Sequence, residues 1–149
     1  MKPPAMLIVA DRGCLRAYTI ARSAREPVPR LLDAVDFPEA HQRLAEQVTD
    51  RAGSFPVAGG GHASGTAGRM TLAAELDIRT FRQVAGRIMA LLKQYRPDAW
   101  SFAAPAEING AILDGVPSGY REQLVQNLAR DLTHTPPGEL LGHFERARP

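Results

Sequence analysis

LDIRTFRQVAGRIMALLKQY, residues Leu76 to Tyr95, is the stretch that decides the fold. Its apolar positions are Ile78, Phe81, Val84, Ala85, Ile88, Leu91, Leu92 and Tyr95. Steps of three and one keep all of them on one stripe of a 3.6-residue helix. Arg79, Arg82, Arg87 and Lys93 take the other side. Arg96-Pro97 ends the helix, because proline disfavours the α conformation in the residue before it. DAWSFAAP follows, and Ala99–Ala104 within it has the length and apolarity of a buried strand. Phe81, Ile88 and Trp100 are expected to be largely buried between the two. On the other side of the helix lies a glycine-rich stretch, residues 52–70, with GGGHASGTAG at Gly59–Gly68. It lacks periodicity and reads as a flexible loop, the candidate working part of the chain.

Working outward, Ala5–Ala10 is a continuous apolar run, as in a strand covered on both faces. Asp11-Arg12-Gly13 makes a turn, Cys14–Ala21 returns, and Val28–Phe37 adds a third strand. Pro29 suits that third strand to an edge. Pro38 opens a short helix over Glu39–Val48, and Pro105 begins another, AEINGAILDGV. Tyr120, Leu124, Leu128 and Leu132 recur every fourth residue, which also fits a helix. Pattern alone leaves Leu124–Leu132 open between helix and strand; the chain order of a family that the sequence resembles implies a short helix at Ser118–Glu122 and a strand at Leu124–Leu132. Pro136-Pro137 starts a last amphipathic helix with Leu140, Leu141 and Phe144 inward. The result is a single α/β domain over residues 1–149. Its mixed five-stranded sheet has order 3-2-1-4-5 with helices on both faces, an arrangement resembling ribonuclease H.

Composition narrows the function classes. Net charge is only +2 in 149 residues, so the totals do not demand a nucleic-acid partner. Of 18 basic residues only Lys2 and Lys93 are lysines. The planar fork of arginine suits phosphate and carboxylate, although GC-rich coding also favours arginine together with alanine. One cysteine, Cys14, excludes an internal disulfide and reads as a small core residue. No run approaches a membrane span, and the apolar run of MKPPAMLIVAD is short for a signal peptide, so a cytoplasmic protein without membrane contact is expected.

The chemistry-bearing residues exclude more than they assign. GGHASGT at Gly60–Thr66 has no lysine before the threonine, which a P-loop requires, and no GxGxxG opens a helix. Arg69 is placed to approach an anion held by backbone N–H groups. His62 and Ser64 lack an orienting acid and a G-x-S-x-G elbow. His41, His134 and His143 lack metal-ligand spacing. Among carboxylates that two-metal nucleases would need, Asp11 ends the first strand, Glu107 lies near the fourth and Asp131 near the fifth. No metal and no cofactor is expected.

VADRGCLRAY, VTDRAG, the glycine loop, the long helix and ARDLTHTPPGELLGHF, in this order, resemble the bacterial host attachment protein family. That family is similar to the middle domain of archaeo-eukaryotic peptide release factors and of Pelota. The resemblance runs from Met6 to Phe144. It rests on Asp11, on Asp50-Arg51 with Gly53, and on Asp131-Leu132-Thr133. In release factors a GGQ tripeptide in the loop before the long helix promotes peptidyl-tRNA hydrolysis. Gly60-Gly61-His62 stands at the corresponding place, with His62 where glutamine would be.

The resemblance implies an RNA- or ribosome-associated factor in translation, without strong catalytic activity. Its partners would be the ribosome or tRNA, its ligand-binding residues Gly60, Gly61, Arg69, Arg79 and Arg82. A first alternative is a peptidyl-tRNA ester hydrolase with His62 as the catalytic residue. A second is a protein-interaction module needed only indirectly for attachment. Arg69, Arg79 and Arg82 are expected to share one positive face. The oligomeric state is not legible in the sequence.

Overall fold

The structure is a computed structural model, and it describes residues 5–20, 28–37 and 62–146, the side chains of 62–76 excepted. Five strands form one sheet: β1 (Met6–Ala10), β2 (Cys14–Ile20), β3 (Pro29–Asp36), β4 (Trp100–Ala103) and β5 (Leu124–Leu128). Their order is β3-β2-β1-β4-β5, as the sequence predicts. β1 pairs antiparallel with β2 and parallel with β4, which in turn pairs parallel with β5. The helices among the described residues are α1 (His62–Tyr95), α2 (Ala106–Asp114), α3 (Ser118–Arg121) and α4 (Pro137–Arg146).

Alternation along the strands separates two cores. Met6, Ile8 and Ala10 of β1, with Trp100 and Phe102 of β4, face α1 and α2; Val84, Ile88, Leu91, Leu92, Ile108 and Ile112 cover them. Trp100 and Phe102 meet at tilted rings 6.1 Å apart. Leu7, Val9, Tyr18, Ile20 and Ala103 face the other way, toward Leu140 and Phe144 of α4. Covered on both sides, all five residues of β1 are buried, which is why its sequence is apolar without alternation. Gly115 closes α2 against α1: a Cβ there would sit 2.9 Å from that of Ala85, so any side chain would push the two helices apart.

Several expectations need correction. α1 begins at His62, so the second half of the expected loop, residues 62–70, is helical backbone. Glycine costs a helix only about 1 kcal/mol relative to alanine, and Ala63, Ala67 and the long apolar stripe beyond them outweigh it. Ile88 and Trp100 are fully buried, but Phe81 is only partly so, and the ends of the stripe, Ile78 and Tyr95, are 48% and 43% exposed. The helix is longer than the sheet it covers, so only its middle turns are sealed. β5 stops at Leu128, before the expected Leu132, which instead packs its side chain under α4. The helix expected at Glu39–Val48 lies outside the described residues.

Candidate functional site

β1 ends at Ala10, and Asp11 opens the turn to β2. Its Oδ1 accepts the backbone N–H groups of Gly13 and Cys14, each at 2.7 Å, so the carboxylate shapes the turn. Its Oδ2 accepts the Thr133 hydroxyl at 3.1 Å, across 122 positions of sequence. The same hydroxyl lies 2.6 Å from Oδ1 of Asp131, which also accepts the Thr133 N–H at 3.1 Å. Arg16, from the neighbouring strand, donates Nη1 to the Thr133 carbonyl at 2.8 Å. Thr133 is fully buried, and one hydroxyl proton serves two carboxylates. The arrangement fastens the β1–β2 turn to the segment that follows β5.

Three residues picked out by the sequence, Asp11, Asp131 and Thr133, thus meet in space. Two of their neighbours, Cys14 and Arg16, were missed as site residues. The signal was present: alternate positions on β2 share a face, so a strand beginning beside Asp11 presents residues 14 and 16 to the same side. The Cys14 thiol is pushed up to about 11, first by burial, then by the charge of Asp11 and a hydrogen bond to it, with Thr133 and Arg16 pulling the other way. A thiol so placed stays protonated at neutral pH and is a poor nucleophile. We expect iodoacetamide at pH 8 to leave folded Cys14 unmodified and to label it rapidly in denaturant. Because the folded value is raised, this thiol also contributes stability below pH 9 that fades as pH climbs toward 11. Cys14→Ala should therefore flatten the loss of stability across pH 9–11. Equal rates of labelling in folded and unfolded protein would overturn the assignment.

A second polar cluster lies at the carboxyl ends of β4 and β5. Asn109 of α2 is buried, and its Nδ2 reaches the carbonyls of Ala104 (3.3 Å) and Leu128 (3.0 Å) and Oδ1 of Asn127 (2.8 Å). Asn127 returns an amide N–H to Asn109 Oδ1 at 2.8 Å. These contacts fix α2 to the sheet without any charge. Among the described residues no three His, Cys, Asp or Glu side chains are grouped to hold a metal ion. No helix among them is long and apolar enough to cross a membrane.

The basic residues lie elsewhere. Arg79 and Arg82 are exposed on α1, three positions apart, with Lys93 further along the same side. None of the three is in an ion pair among the described residues, whereas Arg12 meets Asp77 at 3.6 Å and Arg87 is paired with Asp33 on β3. At 100° per residue Arg79, Arg82, Gly86, Ala90 and Lys93 fall within about 80° of one another, opposite the buried stripe. His62 supplies the first helical residue of α1, and Arg69 lies in its backbone; their side chains are outside the description. Gly60, Gly61, Asp50, Arg51 and Gly53 lie outside the described residues.

The family described as "Protein required for attachment to host cells" matches residues 6–144. No curated protein matches the chain.

Proposed function

Since the chain belongs to the family of proteins required for attachment to host cells, we propose that it acts within that role as a cytoplasmic RNA- or ribosome-associated factor, its effect on attachment being indirect. The observation that carries this reading is the side of α1 bearing Arg79, Arg82 and Lys93, exposed and without ion pairs among the described residues. Cations aligned on one side of a helix offer nucleic-acid phosphates a track whose occupation releases condensed counterions. The track lies on the helix that Gly60-Gly61-His62 introduces, which the likeness to the release-factor middle domain would bring to the ribosome. The Asp11–Thr133–Asp131 cluster serves a different purpose: its hydrogen bonds are spent within the fold, and it holds the sheet that carries α1.

The test is capture of partners from lysate with and without ribonuclease. Ribosomes or tRNA should accompany the protein and be lost on ribonuclease treatment. Their binding should weaken steeply between about 50 and 200 mM salt, with each Arg→Ala change at Arg79 or Arg82 reducing the logarithmic salt slope by about 1. Partners that survive ribonuclease and are indifferent to salt would make the chain a protein-interaction module instead.

A further inference from the structure

At the end of α1 remote from the Asp11 turn, a pocket of 430 Å³ opens between the helix terminus, the 96–98 linker and α3. That volume lies within the range of small-ligand sites. Its lining combines apolar Leu92 and Pro97, the cations Lys93 and Arg96, and Tyr120 and Gln123. The Tyr120 and Gln123 wall is pinned by the buried indole behind it: Trp100 donates its Nε1–H to the Tyr120 carbonyl (2.8 Å) and its backbone N–H to that of Gln123 (3.1 Å). The backbone on that side of the pocket is therefore held in place. Asp98 also lines the pocket and has an interaction of its own.

Arg96 is the unusual member. Its φ is +45°, the one positive value at a non-glycine residue among those described. Its N–H is bonded to the Leu92 carbonyl at 2.9 Å, closing the helix as glycine does at this place in many proteins. A cation beside a helix C-terminus is favourable in itself. That accounts for the charge of Arg96 but not for a side chain at a backbone position where glycine would sit without strain. Strain of this kind, found beside a pocket, points to a task for the guanidinium.

We infer that the pocket holds one nucleoside-phosphate unit, with Lys93 and Arg96 on the phosphate, the base against the ring of Tyr120 and the Gln123 amide at the base edge. Each group matches what the unit offers: two cations for an anion, an aromatic face for stacking, and an amide with both donor and acceptor. The inference rests on the RNA-binding reading only for the source of the unit. Lys93 belongs both to the pocket and to the Arg79–Arg82 side of α1, so a single strand laid along the helix would deliver one of its nucleotides there. A free nucleotide has the same chemistry.

The experiment measures binding of the four nucleoside monophosphates, of inorganic phosphate and of a single-stranded RNA hexamer to the full chain by calorimetry. Arg96→Gly and Tyr120→Leu are the variants, with thermal unfolding recorded for each. Glycine tolerates the positive φ, so Arg96→Gly should keep or raise thermal stability while weakening nucleotide binding about tenfold or more. Tyr120→Leu should weaken it to a similar extent, stacking being worth roughly that per base. Monophosphate binding without hexamer binding would leave the pocket assigned and remove the RNA reading. Hexamer binding insensitive to both variants would do the reverse. Inorganic phosphate binding as tightly as nucleotide, or no nucleotide binding at all, overturns the inference.

Discussion

Ile88→Ala should lower the unfolding free energy by about 2–5 kcal/mol, measured by urea denaturation. Ile88 is fully buried at the middle of α1's inward stripe, in the core shared with β1 and β4. Around it are Val84, Leu91 and Leu92 on its own helix and the strand residues Ile8 and Phe102, all buried. Side chains carried by a hydrogen-bonded sheet and a long helix cannot collapse far into the space left behind. The cost therefore includes a cavity as well as the lost transfer energy. Ile78, 48% exposed on the same helix, supplies the control: Ile78→Ala should change stability by less than about 0.5 kcal/mol. Similar losses at the two positions would mean that α1 is not seated as described.

Asp11→Ala comes next in size, at about 2–3 kcal/mol. The carboxylate accepts two backbone N–H groups at 2.7 Å and the buried Thr133 hydroxyl at 3.1 Å. Each buried group left without its partner costs roughly 1–3 kcal/mol, and water can replace the carboxylate at only part of a half-open turn. Asp11→Asn keeps an acceptor oxygen and should lose less. Thr133→Val removes the hydroxyl with little change of volume, leaving Asp11 and Asp131 without their shared donor. A double-mutant cycle between residues 11 and 133 should therefore show coupling of at least about 0.5 kcal/mol. Strict additivity would mean that the contact contributes nothing.

These two positions also mark what could be read from sequence. Ile88 was legible because a helix facing a sheet must bury a stripe, and a stripe is a local pattern. β1 and β4 were legible for a related reason: a strand covered on both faces becomes a plain apolar run. Asp11 was legible as a turn residue, but its bond to Thr133 was not, since no local pattern says which two loops will meet. The start of α1 was misread because Gly59–Gly68 carries the marks of a loop, and local propensity is a weak prior beside a long stabilising helix. Phe81 was misjudged because periodicity gives the direction of a side chain but not how far the covering sheet extends. Leu124–Leu132 was ambiguous because leucines every fourth residue satisfy the helical period and the strand period alike. The strained φ of Arg96 left no trace in sequence beyond the proline after it.

The parallel pairing of β1 with β4 has a consequence for the order of events in synthesis. Met6 lies opposite Trp100, so at ribosomal speeds of about 5–20 residues per second the partner of β1 emerges roughly 5–20 seconds after β1 itself. Through that interval β1 can join β2 and β3 in an antiparallel meander, but it keeps one open edge, and one of its apolar faces stays uncovered even after α1 has emerged. The nascent chain is then a sticky three-stranded fragment, sealed on one side only when α1 arrives and on the other only when α4 follows. Trigger-type chaperones that bind exposed apolar strands should engage this chain early and let go late, and a pause in translation before Trp100 should raise its aggregation more than a pause after Arg146.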